Sequence, residues 1–539
     1  MIWLRNIVTI ILCFRCSGGV AQELVSVTTA GGSGYDWGRK VAMNGQGELI
    51  AVGIYESGCL MAGVPIPSYG LIDSYLVKFD PAGELLWTRH WGGPQDDHPG
   101  SLVLDEYGNI YVSGAIKSGF QLMGSAYTPE GETDAFIAKF DPGGALLWFQ
   151  RISGTGTAWS RCLSYKNGNL YAGGSFTGTA TWMNDTLQAV GATDAYLAAW
   201  DTSGILEWWH SLGGGGDEYL VDLAMDDNDR VYGIASFGDS LSFGDTTLIG
   251  FGNGDMAVGC WDATGAREWI RHVYSGGNDL PIAIDADSDG STFVVAAFPG
   301  WTSMDPQVFS SYHDLMILKL DPSGQPLWAK FADSSFNFYG QDVIVGPDHH
   351  VFVCARFQNT ASFEGVPLSG SDPFIDKGVF LELDEAGALQ WIVQTTGVGG
   401  CTPESLFPLP DGDVLATGRF GATVNFMDSV VQSSGSNDIF FLRLTSDGHV
   451  GTSDPVPSLG NGAQALILSP EQGLIVVRLD PQEAEYPARL EIIDLCGKCI
   501  FSQALVASDT RLQLDLPPGG YLARVTMGGT LGCYRFMAM

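Results

Sequence analysis

Short apolar runs rich in Val, Ile, Tyr and Phe alternate along this chain with polar turns rich in Asp, Asn and Gly. Apolar patterns with a period of 3.6 are hard to find, so the chain reads as all-β. One pattern recurs about every 61 residues: an Asp, a short apolar strand, an Asp-rich turn closed by Gly, then a Trp. Its copies run Asp73…Asp80…Gly83…Trp87, Asp134…Asp141…Gly144…Trp148 and Asp194…Asp201…Gly204…Trp208. They continue as Asp255…Asp262…Gly265…Trp269, Asp314…Asp321…Gly324…Trp328 and Asp376…Asp384…Gly387…Trp391. A worn seventh copy, Asp438 to Gly448, lacks the Trp. A second element repeats in phase, with Ser101 to Gly114 as its clearest copy, and predicts two short strands around a tight turn.

Each unit therefore holds four antiparallel strands. A single sheet of that size cannot bury both faces. Stacked radially, each face meets a neighbour, and the Trp suits that contact. Seven such units predict a seven-bladed β-propeller over residues 22–450. The seventh unit lacks the strand that follows the turn elsewhere, and Leu24–Gly32 resembles that missing strand. The expectation is that the N-terminal strand completes the last blade and closes the ring, which leaves no open sheet edge.

The unit resembles the bacterial SBBP β-propeller repeat, most closely over residues 92–148, where Gly108-Asn-Ile-Tyr-Val-Ser-Gly114 and Asp134-Ala-Phe-Ile-Ala-Lys-Phe-Asp141 stand. That resemblance covers about four fifths of the chain and implies a fold, with no particular activity. After a Pro/Gly/Ser linker at 451–462, residues 463–539 form a second, small β pattern. Strands are expected at 474–479, 489–494, 498–505, 512–516 and 521–527. Leu490 to Lys498, Leu516 to Val525 and Arg535-Phe536 resemble the type A C-terminal sorting domain of type IX secretion, a small Ig-like β-sandwich in that family. The resemblance implies the type IX secretion machinery as partner. The sequence departs from that pattern at Ser469-Pro470, at Cys496 and Cys499, and in its Met-Ala-Met end.

Composition sharpens the picture. The formal net charge is −35, with 61 acidic against 26 basic residues. Such a surface repels phosphate backbones and argues against nucleic-acid partners. Residues 1–21 read as a signal peptide: Arg5, the apolar core Ile7 to Phe14, and the small residues Gly19-Val20-Ala21 before Gln22. No later segment reaches the ~20 apolar residues of a spanning helix, so the mature chain has no expected transmembrane segment. The chain is expected to be secreted or at the outer cell surface. Cys59, Cys162, Cys260, Cys354, Cys401 and Cys533 are scattered, and Cys496-Gly-Lys-Cys499 is the close pair, read as a disulfide or two thiols.

The candidate chemistry is sparse. The repeated Asp residues could ring a channel, but their presence in every unit fits a structural role, each carboxylate accepting backbone N–H groups at the strand entry. Asp285, Asp287 and Asp289 have the spacing of half a calcium loop, without the bidentate Glu, since Ala296 stands at that place. The Trp strand is similar to the tryptophan-docking repeat of quinoprotein dehydrogenases, which have eight blades and a Cys-Cys pair; this chain has neither. His349-His350 lie in a turn and should point apart. No catalytic, cofactor-binding or metal residue is assigned, and no cofactor is expected. The reading is a rigid binding or structural platform for an extracellular glycan or protein. Its contacts are expected from the loops 55–72, 117–133, 237–254 and 357–375. The alternative is a secreted hydrolase or lyase acting on extracellular polysaccharide or peptide, recognisable by a deep axial pocket with two perturbed acids or histidines.

Overall fold

The computed structural model describes residues 24–444, except 184, 299–301, 305–306, 310–312, 336, 371 and 428, and seven strands between Leu466 and Ala538. The signal segment and Cys496 lie outside the described residues. The chain divides into two compact units, Met1–Val450 and Gly451–Met539.

The first unit is a seven-bladed propeller. Blade 1 is built from Trp37–Met43, Leu49–Glu56, Ile72–Phe79 and Leu85–Gly92, innermost to outermost. Blades 2 to 6 repeat that order, and their innermost strands are Pro99–Leu104, Ala158–Lys166, Tyr219–Met225, Leu280–Ala286 and Asn337–Val345. Blade 7 takes Cys401–Pro408, Val414–Phe420 and Asp438–Leu444 from one end of the unit and Leu24–Ala30 from the other. Thr28 pairs with Phe441 and Ala30 with Ile439, so the expected closure holds. The seven innermost strands contact one another in a complete circle around the axis.

The repeated residues hold blade to blade. In the turn after the third strand, Asp80 Oδ1 accepts the N–H groups of Ala82 and Glu84, and Gly83 turns at φ 82°. In blades 1 to 5 the Trp of the outer strand donates its indole N–H to that turn in the next blade, whereas the indole N–H of Trp391 in blade 6 makes no such bond. Trp87 reaches Pro142 O at 3.3 Å, Trp148 reaches Thr202 O at 3.1 Å, Trp208 reaches Ala263 O at 3.0 Å and Trp269 reaches Pro322 O at 3.0 Å. Arg89 and Arg271, two residues on, donate to the next blade's Gly144 O and Gly324 O. The motif is thus a polar latch laid over apolar inter-blade packing.

The long loops are more ordered than expected. Each carries a short hairpin that attaches to the outer strand of the preceding blade. Phe120–Leu122 continues the blade 1 sheet through Leu122 and Trp91. Thr179–Trp182 continues blade 2, and Thr360–Phe363 continues blade 5. Bridges Gly213 to Ser242, Tyr274 to Ser303, Thr396 to Asn425 and Gly31 to Leu60 repeat the attachment at the other four. Phe120, Trp182 and Phe363 are buried beneath them. These loops are structural staples whose tips, such as Met123 and Met183, stay exposed.

The second unit forms two antiparallel sheets. One joins Leu466–Ser469, Leu474–Arg478 and Asp509–Gln513; the other joins Ala488–Asp494, Cys499–Leu505, Gly519–Met527 and Thr530–Ala538. The first and last of these strands were not expected from the sequence. Among the described residues no helix is long and apolar enough to cross a membrane.

Candidate functional site

The strand-entry aspartates do not face the axis. Asp73 Oδ2 accepts the N–H groups of Tyr69 and Gly70, and Asp134, Asp194, Asp255 and Asp438 each accept the N–H four residues earlier. The side chain of Asp314 lies outside the described residues, and Asp376 instead accepts from Arg356 and Gln358. A second set of acids, not singled out in the sequence, sits beside the first at the start of the innermost strands. Asp36, Asp97, Glu218 and Asp279 accept the N–H groups of Gly32, Gly93, Gly214 and Ser275. Burial pushes Asp36, Asp97 and Glu218 to about 7 and Asp279 to about 6, against the hydrogen bonds that favour ionisation.

The calcium half-loop does not converge. Asp285 Oδ2 accepts the N–H of Val345 at 2.7 Å in the next blade, whereas Asp287 bonds His349 Nδ1 at 2.8 Å. Asp289 Oδ1 accepts the N–H of Ser291. Among the described residues no cluster of three His, Cys, Asp or Glu is placed to hold a metal ion. His349 and His350 do point apart, the latter to Glu382.

The axis is where distinct chemistry gathers. Every innermost strand carries a β-bulge at the same height, between Gly38 and Lys40 in blade 1 and at the matching places in the other six. A bulge sets two residues against one and re-aims the side chains beside it. The bulged positions, by blade, are Arg39, Gly100, Arg161, Val221, Ile282, Gln341 and Glu404. Two residues earlier, toward the end where the innermost strands begin, stand Trp37, His98, Trp159, Tyr219, Leu280, Tyr339 and Thr402. This end is called the upper mouth.

Arginines and rings interleave there. Arg39 lies 4.6 Å from the Trp37 ring centroid and Arg419 lies 4.1 Å from it. Arg161 lies 4.8 Å from Trp159 and 5.3 Å from Tyr219 of the next blade. Arg39 faces Glu404 at 3.6 Å. Burial raises Glu404 to about 7, although Arg39, Arg419 and Arg356 pull it down. Burial lowers Arg161 from its ordinary value.

Below the bulges a cavity of about 900 Å³ runs along the axis, lined by Lys40, Asp222, Asp285 and Asp342 among others. Its carboxylates tie the inner strands together. Asp222 Oδ2 accepts the N–H of Ile284, and Asp342 Oδ2 accepts the N–H of Leu406, each in the next blade. Lys40 Nζ reaches Asp342 at 3.3 Å. Burial lifts Asp222 to about 6, opposed by Lys40, and Asp285 to about 7, opposed by backbone N–H groups. For Lys40 burial works downward, but Asp342 and Asp222 more than offset it and the ammonium ends above its ordinary value.

No family model matches the chain. Over 143 residues, 26% of this chain, it is 30% identical to the regulatory protein FlaEY of Caulobacter vibrioides and covers 15% of that protein. Over 177 residues, 29% of this chain, it is 27% identical to an uncharacterised WD repeat-containing protein of Acanthamoeba polyphaga mimivirus, covering 13% of it. The chain thus spans under a sixth of the length of either relative. Among solved structures, it is similar to an ulvan lyase, with a TM-score of 0.41 and 8% identity over 80% of this chain and 96% of that one. It is also similar to PorZ, a surface component of the type-IX secretion system of Porphyromonas gingivalis, with a TM-score of 0.17 and 10% identity over 95% of this chain and 100% of that one.

Proposed function

We propose that this chain is an exported propeller, secreted or held at the outer cell surface, that serves as a rigid binding platform. In this reading residues 1–21 are a cleaved signal and the propeller is of the SBBP-repeat type. Residues 451–462 are a linker, and residues 463–539 are a sorting domain that engages the type IX secretion machinery. The ligand, an extracellular glycan or protein, meets the upper mouth of the axis.

One observation carries the reading: the axial acids are committed to the body. Asp222, Asp285 and Asp342 each accept a backbone N–H from the neighbouring inner strand. The ring around the mouth, in contrast, varies from blade to blade in size and charge. Fixed lower positions and varied upper ones suit recognition on a rigid scaffold.

The second reading, a secreted hydrolase or lyase, draws on the same cavity. Asp222 at about 6 and Asp285 at about 7 share one deep axial space, the arrangement expected of an acid–base pair. Binding of the full chain to glycan and protein arrays, with turnover of every hit measured alongside, separates the two. Binding without turnover is the expected result. Turnover that Asp222→Asn abolishes in a folded protein would establish the enzyme instead.

A further inference from the structure

Basic residues are scarce in this chain, 26 against 61 acids, yet Arg39, Arg161, Arg356 and Arg419 gather at one mouth. Three of them have polar partners. Arg39 faces Glu404, Arg356 holds Asp376 at 3.0 Å, and Arg419 bonds the Tyr35 hydroxyl. Arg161 differs. The residue retains solvent exposure, its guanidinium lies against the rings of Trp159 and Tyr219, and among the described residues it has neither a hydrogen bond nor an ion pair. An arginine held by two rings keeps its donor fork free and ordered, which lowers the entropy cost of taking up a planar anion.

The rest of the circle narrows the ligand. Val221 and Ile282, on the next two blades, offer an aliphatic arc. Gln341 and Glu404 complete it with an amide and a carboxyl. Glu404 is offset by Arg39, so this arc offers hydrogen bonds more than a full negative charge. A guanidinium, an apolar wall and a hydrogen-bonding arc complement a sugar ring that bears a carboxylate, an apolar C–H face and hydroxyls.

We propose that Arg161 is the anion-binding group of the upper mouth and that its ligand is an acidic sugar of the uronic-acid type. This names the ligand class for the platform reading and rests on it. The test is calorimetric titration of the full chain with tetrasaccharides of galacturonate, glucuronate and mannuronate, each beside its carboxyl-reduced neutral counterpart. At least one acidic tetrasaccharide should bind about 10-fold or more tightly than its neutral counterpart, as a charge-assisted bidentate contact implies. Arg161→Gln should remove that preference with no change in the thermal midpoint. Lys166→Gln, distant at the end of the same strand, should leave it intact.

Equal binding of acidic and neutral sugars, an unaffected Arg161→Gln protein, or selection of an oligoglutamate peptide over every uronate would overturn the proposal. If arrays reveal a neutral-glycan or protein ligand while all uronates are ignored, the platform reading stands and this inference falls. If arrays reveal no ligand and the uronates do not bind, both fall.

Discussion

Asp73 and Asp97 come together behind the Gly92-Gly93 pair that joins blade 1 to blade 2. A Cβ on Gly92 would lie 2.0 Å from Asp73 Oδ1, and the Gly93 N–H donates to Asp97 Oδ2 at 2.6 Å. Both acids are fully buried, and each keeps one oxygen without a hydrogen-bond partner. The same arrangement recurs as Asp438 with Asp36, Asp194 with Glu218, and Asp255 with Asp279. Where Ala158 replaces the second acid, Asp134 pairs with Arg151 at 3.3 Å. Where Lys377 replaces the first, Cys401 replaces the second.

These pairs make the ring less stable as pH rises from mild acid to neutral. Asp36, Asp97 and Glu218 stand at about 7 and Asp279 at about 6, chiefly through burial. Unfolded carboxyls titrate near about 4, so the folded chain holds extra protons between those values. That contribution is complete below about pH 4 and is lost as pH rises through about 6 to 7. Asp201 and Asp226 behave oppositely: despite burial, backbone N–H donors hold them low, so their contribution is lost on acidification. The thermal midpoint should peak in mild acid and fall from about pH 5 to about pH 7. Asp97→Asn should flatten part of the fall, by on the order of 1–3 kcal/mol of pH-dependent stability. A midpoint that climbs steadily to pH 8 would contradict this account.

The Trp latch can be split into its polar and apolar parts. Trp148→Phe keeps most of the ring but deletes the N–H bonded to Thr202 O, and should cost about 1 kcal/mol. Trp148→Ala also removes packing against the blade 2 and blade 3 core, and should cost about 3 kcal/mol. Chemical denaturation of both variants checks the order. Equal losses would mean that the hydrogen bond carries nothing.

Closure rests on Leu24–Ala30. Replacing both Val27 and Thr28 by Pro removes the one ladder donor that this pair of residues supplies opposite Leu442 and Phe441 and locks the local backbone. The strand Asp438–Leu444 would then become an open edge. A fall in the thermal midpoint with concentration-dependent aggregation is expected by calorimetry and light scattering. An unchanged monomer would show that the ring closes without this strand.

Asp285, Asp287 and Asp289 point to three different partners. Calcium or a chelator should therefore leave the thermal midpoint of the chain unshifted by way of these residues. A calcium-dependent rise that Asp287→Asn abolishes would restore the half-loop as a binding site.

Much of the architecture could be read from residues that serve every blade alike. Asp, Gly and Trp recur because turn, left-handed backbone and inter-blade packing are rebuilt from blade to blade, and periodicity exposes them. The missing Trp strand after Gly448 pointed to closure for the same reason. The staples were hidden because Ala62, Met123 and Glu364 occupy positive-φ turn positions where Asn or Gly would have signalled a hairpin. The second acids were masked by changes of residue, Asp97 becoming Ala158, then Glu218, then Asp279. The mouth was least legible, since a bulge has no fixed residue type, and Gly100 and Glu404 occupy one structural position.

The bulge on each inner strand has an evolutionary corollary. Because hydrogen bonding of the flanking residues fixes the backbone there, the side chain it presents is nearly exempt from the demands of folding where it joins no core cluster, as at Arg161 and Gln341. Arg161 and Gln341 could be exchanged without disturbing a latch or a staple. A lineage could therefore rewrite what the mouth selects, one blade at a time, while inheriting the body unchanged.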